Sequence, residues 1–431
     1  RRELGLLDTT ALCAGSIIGS GIFFLPATMA GALPATGPLL GVWLAAGIVS
    51  ILGALCLAEL GTMMPEQGGL TIYLREAFGP FWGFLYGWTC FALTNTVALA
   101  AIAMVFAEYL GVLLPMGAGW QRGVGIAAIA GFTLLNCLGV REGATTQNIL
   151  TGLKVLLMTG IVAAAFLLPG GGPGNLEPLA LARPEGGFAP GLAVAFLGAL
   201  FAYDGWVNIS FVGGEVRDPA RTLPRAVLWG TGVVVLLYLA VNLAFLWVLS
   251  PAGVAATPLV ASETLGRLAG PAGARVIAFV IVVSTLGALN GNLLSCARVP
   301  FALAREGRFP AVAGRLGRRG TPVAALLLQG AWAIALSFSG TYVQLTQWMV
   351  YGAFIFFGMG AVAVIALRRR RPDLPRPYRV WGYPATPIVF AAFAAWLVLQ
   401  TVHDAPRDAA IGTGLILAGV PFYFLFRPRR A

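Results

Sequence analysis

Long runs of apolar residues, separated by short polar or charged segments, repeat along the whole chain. Each run is about 20 residues long, the length an α-helix needs to cross a bilayer, and it lacks the alternation typical of barrel strands. The pattern predicts an all-α integral membrane protein with about twelve transmembrane helices. The predicted spans are residues 6–32, 36–63, 81–113, 122–140, 146–168, 190–215, 226–250, 273–304, 322–339, 343–367, 386–402 and 408–426.

The first predicted span contains a segment that is poorly suited to a continuous helix. Residues 15–23 are Gly-Ser-Ile-Ile-Gly-Ser-Gly-Ile-Phe. Gly in a helix interior costs about 1 kcal/mol relative to Ala, and Ser competes for backbone hydrogen bonds. One hypothesis is that the helix breaks here and offers backbone groups to a ligand, because unwound backbone is tolerated where it lines a cavity. The alternative is a face of small residues for close helix packing.

A second interruption lies in the sixth span, where residues 201–206 are Phe-Ala-Tyr-Asp-Gly-Trp. The first and sixth spans each open a set of five, and the two sets cross in opposite directions because five is odd. Interrupted helices at matching positions in two halves indicate an inverted-repeat transporter with a site at the bilayer midplane. The match favours the broken-helix hypothesis for the first span. We predict one transmembrane domain over residues 1–427, with repeats over 6–168 and 190–367 and two additional helices over 386–426.

The net charge of +11 is explained by topology and not by a nucleic-acid partner. Most of the 28 Lys and Arg residues fall in alternate predicted loops, including Arg217 to Arg225 and Arg305 to Arg319. An excess of Lys and Arg marks cytoplasmic loops, so both termini are predicted to be cytoplasmic. The run Arg368 to Arg371 is interpreted as the same signal, with binding of anionic lipid as a secondary interpretation.

The chain offers little for enzymatic or metal chemistry. His403 is its only histidine, so neither a catalytic His dyad nor a His metal site can be assembled. No P-loop is present, and no filter-like loop supports a channel. We predict no cofactor, no metal and no enzyme activity. All five cysteines fall within predicted spans and are expected to be reduced and buried: Cys13, Cys56, Cys90, Cys137 and Cys296.

Polar side chains inside the other spans have two interpretations. Asn95 and Thr96 in the third span, and Asn290 in the eighth, either bond to neighbouring helices or line a cavity. Lys154, the only lysine, lies about two turns inside the fifth span, where a charge is expensive. It is predicted to be a coupling element and a candidate proton carrier. The alternative is a side chain that snorkels to the interface.

The first break suits a carboxylate. The Gly19, Ser20 and Gly21 amides would form the N-terminus of a half-helix, where partial positive charge and free N–H groups favour an anion. The Ser20 hydroxyl adds a further donor.

Open carbonyls in the two breaks suit an ammonium group. They are expected near Ile17 in the first break and near Phe201 and Asp204 in the second. Phe201 and Tyr203 are bulky enough to close the site or to cover a substrate side chain. Together the two breaks favour an α-amino acid as the substrate.

These segments resemble a known family. Gly15 to Phe23 resembles the G-S-G-I-F first-helix motif of the amino acid–polyamine–organocation superfamily, whose members have a LeuT-type fold of five plus five inverted helices with broken helices 1 and 6. Residues 201–206 resemble the sixth-helix motif of its L-type amino acid transporter branch. Further resemblance, which extends over nearly the whole chain, lies in Ala58 to Pro80, Asn290 to Pro310 and Arg371 to Tyr378.

The resemblance implies roles for individual atoms. The amides of Ser20 and Gly21 would hold the substrate carboxylate, and the carbonyls of Ile17, Phe201 and Asp204 would hold its amino group. Lys154 matches a lysine of this branch that reaches toward the first helix, where sodium-coupled relatives bind an ion, which implies sodium-independent exchange. The predicted substrate-binding residues are Ile17, Gly19, Ser20, Gly21, Phe201, Ala202, Tyr203, Asp204 and Gly205.

Two departures limit what is carried over. Eukaryotic members pair with a heavy-chain glycoprotein through a cysteine after the third helix, but Pro115 to Arg122 contains none. We therefore expect no disulfide-linked heavy chain, and a monomer or homodimer. Asp204 stands where some members have glycine, and it could attract a cationic side chain; neutral substrates are nevertheless favoured.

The sequence thus predicts a sodium-independent exchanger or uniporter of neutral L-amino acids. A proton-coupled or exchange carrier of cationic amino acids or polyamines, using Asp204 and Lys154, is the first alternative. A membrane sensor of amino acids that does not transport is the second. The single lysine among 28 basic residues suggests a GC-rich prokaryotic source and hence a prokaryotic inner membrane.

Overall fold

The structure is a computed structural model that describes residues 4–64, 69–138, 144–181, 189–211, 216–317 and 320–426. Within these ranges every regular element is helical, so the predicted all-α fold is confirmed. The α-helices are α1 (Leu6–Ile17), α2 (Gly21–Ala32), α3 (Thr36–Met63), α4 (Leu70–Phe78), α5 (Pro80–Thr89), α6 (Asn95–Leu113), α7 (Ala118–Cys137), α8 (Ala144–Leu167), α9 (Ala189–Tyr203), α10 (Pro219–Ala255), α11 (Val260–Cys296), α12 (Arg298–Arg305), α13 (Val323–Ser339), α14 (Tyr342–Arg370), α15 (Ala385–Asp404), α16 (Pro406–Leu417) and α17 (Gly419–Leu425). A π-helix (Cys90–Thr94) joins α5 to α6, and short 3₁₀ helices lie at Pro173–Leu176, Trp206–Phe211 and Ala311–Gly314.

Among the described residues, seven helical segments are long and apolar enough to cross a membrane, and the bent pair α1–α2 would make an eighth. They support the prediction of a multi-pass membrane protein. Shorter apolar helices lie at Gly152–Leu167, Gly191–Tyr203 and Val323–Ser339. The full count of about twelve spans and the five-plus-five arrangement stay predictions.

The first predicted span is broken where its glycines and serines lie. Helices α1 and α2 meet at an angle of 49°. The Ile18 amide still bonds to the Ala14 carbonyl at 2.9 Å, but Ile18 itself has an extended backbone (φ −68°, ψ 93°). The next helix begins at Gly21. The predicted break in this span is therefore confirmed, and the binding of a ligand by its backbone groups stays a prediction.

The sixth predicted span, which contains the second predicted break, is also interrupted. Helix α9 ends at Tyr203, and a 3₁₀ helix starts at Trp206. Between them Gly205 has φ +123°, a conformation that L side chains rarely adopt. A Cβ atom at Gly205 would lie 2.2 Å from the Ser16 carbonyl oxygen, so the glycine also lets the second break approach α1 closely.

Thr96 and Asn290 bond to neighbouring helices, whereas most other hydroxyl and amide side chains inside the spans bond to carbonyls of their own helix. Thr96 accepts a hydrogen bond from Gln329 of α13, and Asn136 of α7 donates to Asn290 of α11 at 2.6 Å. Both contacts agree with the helix-to-helix interpretation of these side chains. The third predicted span is not a continuous α-helix, however, because Cys90–Thr94 form a π-helix. Within that segment the Ala92 carbonyl accepts a hydrogen bond from the Trp332 indole at 2.8 Å.

Candidate functional site

The two breaks lie against each other and are joined by one side chain that the sequence analysis did not select. The hydroxyl of Tyr238, on α10, lies 3.2 Å from the Ile17 carbonyl oxygen and 3.2 Å from the Ala202 carbonyl oxygen. It donates a shared hydrogen bond to one carbonyl from each break. A Cβ atom added to Gly21 would lie 3.1 Å from the Ala202 Cα, so the backbones themselves nearly touch. Ile17, Gly21 and Ala202, predicted from separate motifs, are thus brought together.

The N-terminus of α2 presents backbone donors at this point. Within the described ranges no backbone carbonyl accepts a hydrogen bond from the amides of Ser20 or Gly21, whereas the Gly19 amide donates to the Tyr238 hydroxyl. Ser20 is 9% exposed, so these donors lie inside the protein rather than at its lipid surface. Free amides at a helix N-terminus are the chemistry that a carboxylate needs. Their role in holding one stays a prediction.

The carbonyl groups predicted for an ammonium are partly engaged. The Ile17 oxygen accepts from Tyr238, as described above, and the Phe201 oxygen accepts from the Asp204 amide at 3.1 Å. A carbonyl oxygen has two lone pairs, so each can accept a second hydrogen bond. The geometry is compatible with the predicted role of these carbonyls without testing it.

Lys154 reaches the first break. Its ammonium nitrogen lies 3.2 Å from the Ile18 carbonyl oxygen, and the residue is only 6% exposed. The side chain is therefore buried against α1 and does not extend along the lipid-facing surface. In the part of the chain that the structure describes, neither Lys154 nor Asp204 forms a salt bridge.

The aromatic residues of the second break have different surroundings. Phe201 is half-buried, and its ring lies 6.1 Å from that of Tyr342, which in turn lies 4.5 Å from Phe24. These three rings, from α9, α14 and α2, form a cover beside the breaks. Tyr203 is wholly buried, with its ring 5.1 Å from that of Tyr238, so its side chain belongs to the packing behind the site.

Three tyrosines near the site were missed by sequence reasoning. They are Tyr238, Tyr342 and Tyr109, whose hydroxyl donates to the Phe23 carbonyl at 2.9 Å. Each lies within a predicted span, or one residue outside it, among apolar neighbours, where a buried hydroxyl needs a partner. That need is a signal, but it does not identify the partner.

His403 and the five cysteines, the remaining candidates for chemistry, lie outside the two breaks. His403 is exposed and lies 2.8 Å from Asp404. Among the described residues no group of three or more His, Cys, Asp or Glu side chains could hold a metal. All five cysteines are free thiols, and four are buried as expected; Cys137 is only partly buried, so the expectation of burial is wrong for it.

Comparison with known proteins identifies the family. A family model described as "Amino acid permease" matches residues 4–426. "b(0,+)-type amino acid transporter 1" of Mus musculus is 33% identical over 433 residues, covering 99% of this chain and 88% of the relative. "Serine/threonine exchanger SteT" of Bacillus subtilis (strain 168) is 32% identical over 436 residues, covering 100% of this chain and 98% of the relative. "Large neutral amino acids transporter small subunit 2" of Homo sapiens is 32% identical over 435 residues, covering 99% and 80%.

These matches run through both breaks and extend over nearly the whole chain. They confirm the resemblance that the motifs at residues 15–23 and 201–206 indicated. The chain belongs to the amino acid permease family, within the amino acid–polyamine–organocation superfamily.

Proposed function

We propose that this protein is a sodium-independent exchanger of neutral L-amino acids that works by alternating access around the two broken helices. One observation carries the proposal: the two breaks meet at Tyr238, beside the amides of Ser20 and Gly21, from which no described backbone carbonyl accepts a hydrogen bond. A substrate with a carboxylate and an ammonium on adjacent atoms can use both kinds of backbone group within a few ångströms.

The carboxylate would bind the amides of Ser20 and Gly21 at the start of α2. The ammonium would bind the carbonyls of Ile17, Phe201 and Asp204. These assignments are supported by the close approach of Gly21 to Ala202, since a Cβ atom added to Gly21 would lie 3.1 Å from the Ala202 Cα, which places the two sets of groups side by side.

Sodium independence is supported by the position of Lys154. Its ammonium donates a hydrogen bond to a carbonyl of the first break, the Ile18 oxygen, at 3.2 Å. A carbonyl that already accepts from a fixed cation is a poor ligand for a second cation, because like charges repel in a medium of low dielectric. Lys154 would thus replace a metal ion as the positive charge at this point and change its contact as the helix moves.

A neutral substrate is supported by the aromatic cover of Phe24, Phe201 and Tyr342, and by the serine/threonine and large neutral amino acid specificities that two relatives' names state. One observation favours a second candidate. Asp204 lies in the second break with no salt bridge to a described residue, so it could attract the charged end of a cationic amino acid or polyamine.

The membrane, the topology and the oligomeric state that we propose are those predicted from the sequence. The transporter acts in a prokaryotic inner membrane as one domain over residues 1–427, with both termini in the cytoplasm. It acts as a monomer or homodimer without a disulfide-linked heavy chain, since the residues between α6 and α7 include no cysteine.

Counterflow in proteoliposomes tests the proposal. Purified protein is reconstituted with or without an unlabelled amino acid inside, and uptake of labelled L-serine, L-leucine and L-arginine is measured in sodium and in choline buffer. We expect uptake of a neutral amino acid that needs a counter-substrate and is equal in both buffers. Uptake of arginine alone would favour the cationic alternative, uptake driven only by a pH gradient would favour proton coupling, and saturable binding without flux would indicate a sensor.

A further inference from the structure

A wholly buried carboxylate at the end of α3 is held by two arginines that the proposed transport site does not use. Glu59 is 0% exposed, and Arg368 of α14 donates two hydrogen bonds to it, Nε to Oε1 at 2.8 Å and Nη2 to Oε2 at 2.6 Å. Arg376 approaches the same carboxylate at 3.9 Å. Such a two-point contact fixes distance and orientation as well as charge.

The connection between α14 and α15 folds over this carboxylate. The Val380 amide donates to Glu59 Oε2 at 2.7 Å, and the Tyr383 ring lies 3.8 Å from the Arg368 guanidinium carbon. The second arginine, Arg376, closes the end of α14, since its guanidinium donates to the carbonyls of Leu367 at 2.9 Å and Arg371 at 2.8 Å. We call the set Glu59, Arg368, Arg376 and Val380 the Glu59 clamp.

The run of four arginines suggested that Arg368 is part of a topology signal. Its contacts with Glu59 give it a structural role as well. Its side chain is 18% exposed and its partner is entirely buried. A charge placed only to orient the chain would remain in water, where it costs little. A carboxylate removed from water needs several fixed donors, and the clamp supplies them from two segments, α14 and the connection between α14 and α15.

Helix α14, which the clamp holds, contacts the second break at two levels. Near its start Tyr342 lies 6.1 Å from Phe201, and in its middle Phe357 lies 5.0 Å from Trp206, measured between ring centres. Helix α3 contacts the same break: a Cβ atom at Gly53 would lie 2.9 Å from the Trp206 ring. Trp206 is 1% exposed and thus has no freedom to adjust if these helices shift.

We propose that Glu59 is a positioning residue for substrate binding, because the clamp fixes α14 against α3 in the arrangement that seats Phe201 and Trp206 on either side of the second break. The inference rests on the proposed function, which makes residues 201–205 part of the substrate site. It assigns no contact with substrate to Glu59. Loosening the clamp lets α14 move, and the break loses the geometry that binds an amino acid.

The test compares E59Q and R368K with a matched control in full-length protein. E59Q keeps the shape of the side chain and removes its charge; R368K keeps the charge and removes the two-point contact. The control is E263Q, the same exchange in the exposed Glu263–Arg267 pair of α11. KM and kcat are measured in proteoliposomes for whichever of labelled L-serine, L-leucine or L-arginine the wild type carries, per amount of monodisperse protein. We expect KM to rise about tenfold in both clamp variants and to stay unchanged in E263Q.

A second readout is independent of transport. The F201C variant is reacted with a water-soluble maleimide, with the native cysteines, four of them buried, as background. We expect E59Q to change the labelling rate at residue 201 at least threefold.

An unchanged KM and labelling rate, together with lower thermal stability, would show a merely structural clamp and overturn the proposal. If the wild type carries no amino acid but labelling still responds to E59Q, the proposed function fails and the positioning role stands. If E59Q does not yield folded protein, E59D replaces it, because its side chain is shorter by one methylene.

Discussion

The Tyr238 hydroxyl lies 3.2 Å from the Ile17 carbonyl oxygen, at the point where α1 ends. The same hydroxyl lies 3.2 Å from the Ala202 carbonyl in the second break. Since a hydroxyl has one proton, the two carbonyls share it, and any movement of one break relative to the other changes how it is shared. Tyr238 thus links the two halves of the candidate site through a single buried group.

We expect Y238F to weaken substrate binding while leaving the fold intact. A net hydrogen bond contributes about 0.5–1.5 kcal/mol, so the affinity should fall roughly three- to tenfold. Affinity is measured by competition against a labelled amino acid. Y351F is the matched control, because the Tyr351 hydroxyl also makes a hydrogen bond between helices, 2.8 Å to Thr413, but this partly buried contact joins α14 and α16, away from the breaks. Equal affinity in Y238F and wild type would show that the link is not used in binding.

Gly205 provides a prediction about stability. Alanine there would adopt φ +123° and place its Cβ 2.2 Å from the Ser16 carbonyl oxygen. Strain at such a backbone position costs on the order of 1–3 kcal/mol, and displacing α1 adds to it. We expect G205A to lower the melting temperature clearly, measured by fluorescence-detected size exclusion after heating.

G31A is the control for Gly205. Gly31 lies in α2, and a Cβ atom there would meet nothing within 4 Å. Alanine is favoured over glycine inside a helix by roughly 0.5–1 kcal/mol, so G31A should match or exceed the wild type. A G205A protein as stable as G31A would contradict the close approach of the second break to α1.

The sequence was sufficient to locate both breaks, because glycine and serine in the first span, and an aspartate beside a glycine in the sixth, have a local physical cost that can be recognised without any contact. For Asn290 it left two interpretations open, a hydrogen bond to another helix or the lining of a cavity, and the structure shows a bond to the Asn136 amide. It could not identify Asn136 as that partner, because nothing local relates residues 154 positions apart.

Tyr238 and Arg368 show the same limit. A tyrosine in an apolar span and an arginine in a basic run each fit a simple local explanation, and both explanations are incomplete. What distinguishes these residues is where α10 and α14 lie relative to α1 and α3, which depends on packing over the whole chain. The π-helix at Cys90–Thr94 was missed because its sequence has no helix-breaking residue.

A substitution at Asp204 tests whether the substrate is neutral or cationic. D204N retains the size of the side chain and removes the charge that a cationic substrate would use. Under the proposed neutral specificity, we expect the KM for the neutral substrate to change less than about threefold, since the backbone groups are unchanged. A tenfold or larger loss that is confined to L-arginine, in a wild type that carries it, would favour the cationic alternative. Uptake of one neutral and one cationic amino acid by the same preparation makes the comparison.

Lys154 is predicted to act on movement more than on binding. Its ammonium lies 3.2 Å from the Ile18 carbonyl oxygen, in the extended segment that separates α1 from α2. K154A removes a charge-assisted hydrogen bond at the joint where the two half-helices must reorient, so the barrier to exchange should change while the amides of Ser20 and Gly21 stay in place. We expect the maximal exchange rate to fall at least about tenfold, equivalent to 1.4 kcal/mol in the barrier, with a substrate affinity within threefold of wild type. The control is T159V on the same helix, where the exposed Thr159 hydroxyl bonds only to its own helix, to the Val155 carbonyl at 2.9 Å. Rates equal to wild type across pH 6 to 8 would leave Lys154 with a role in packing alone, whereas a lost rate that K154R restores would assign the effect to the positive charge at Ile18.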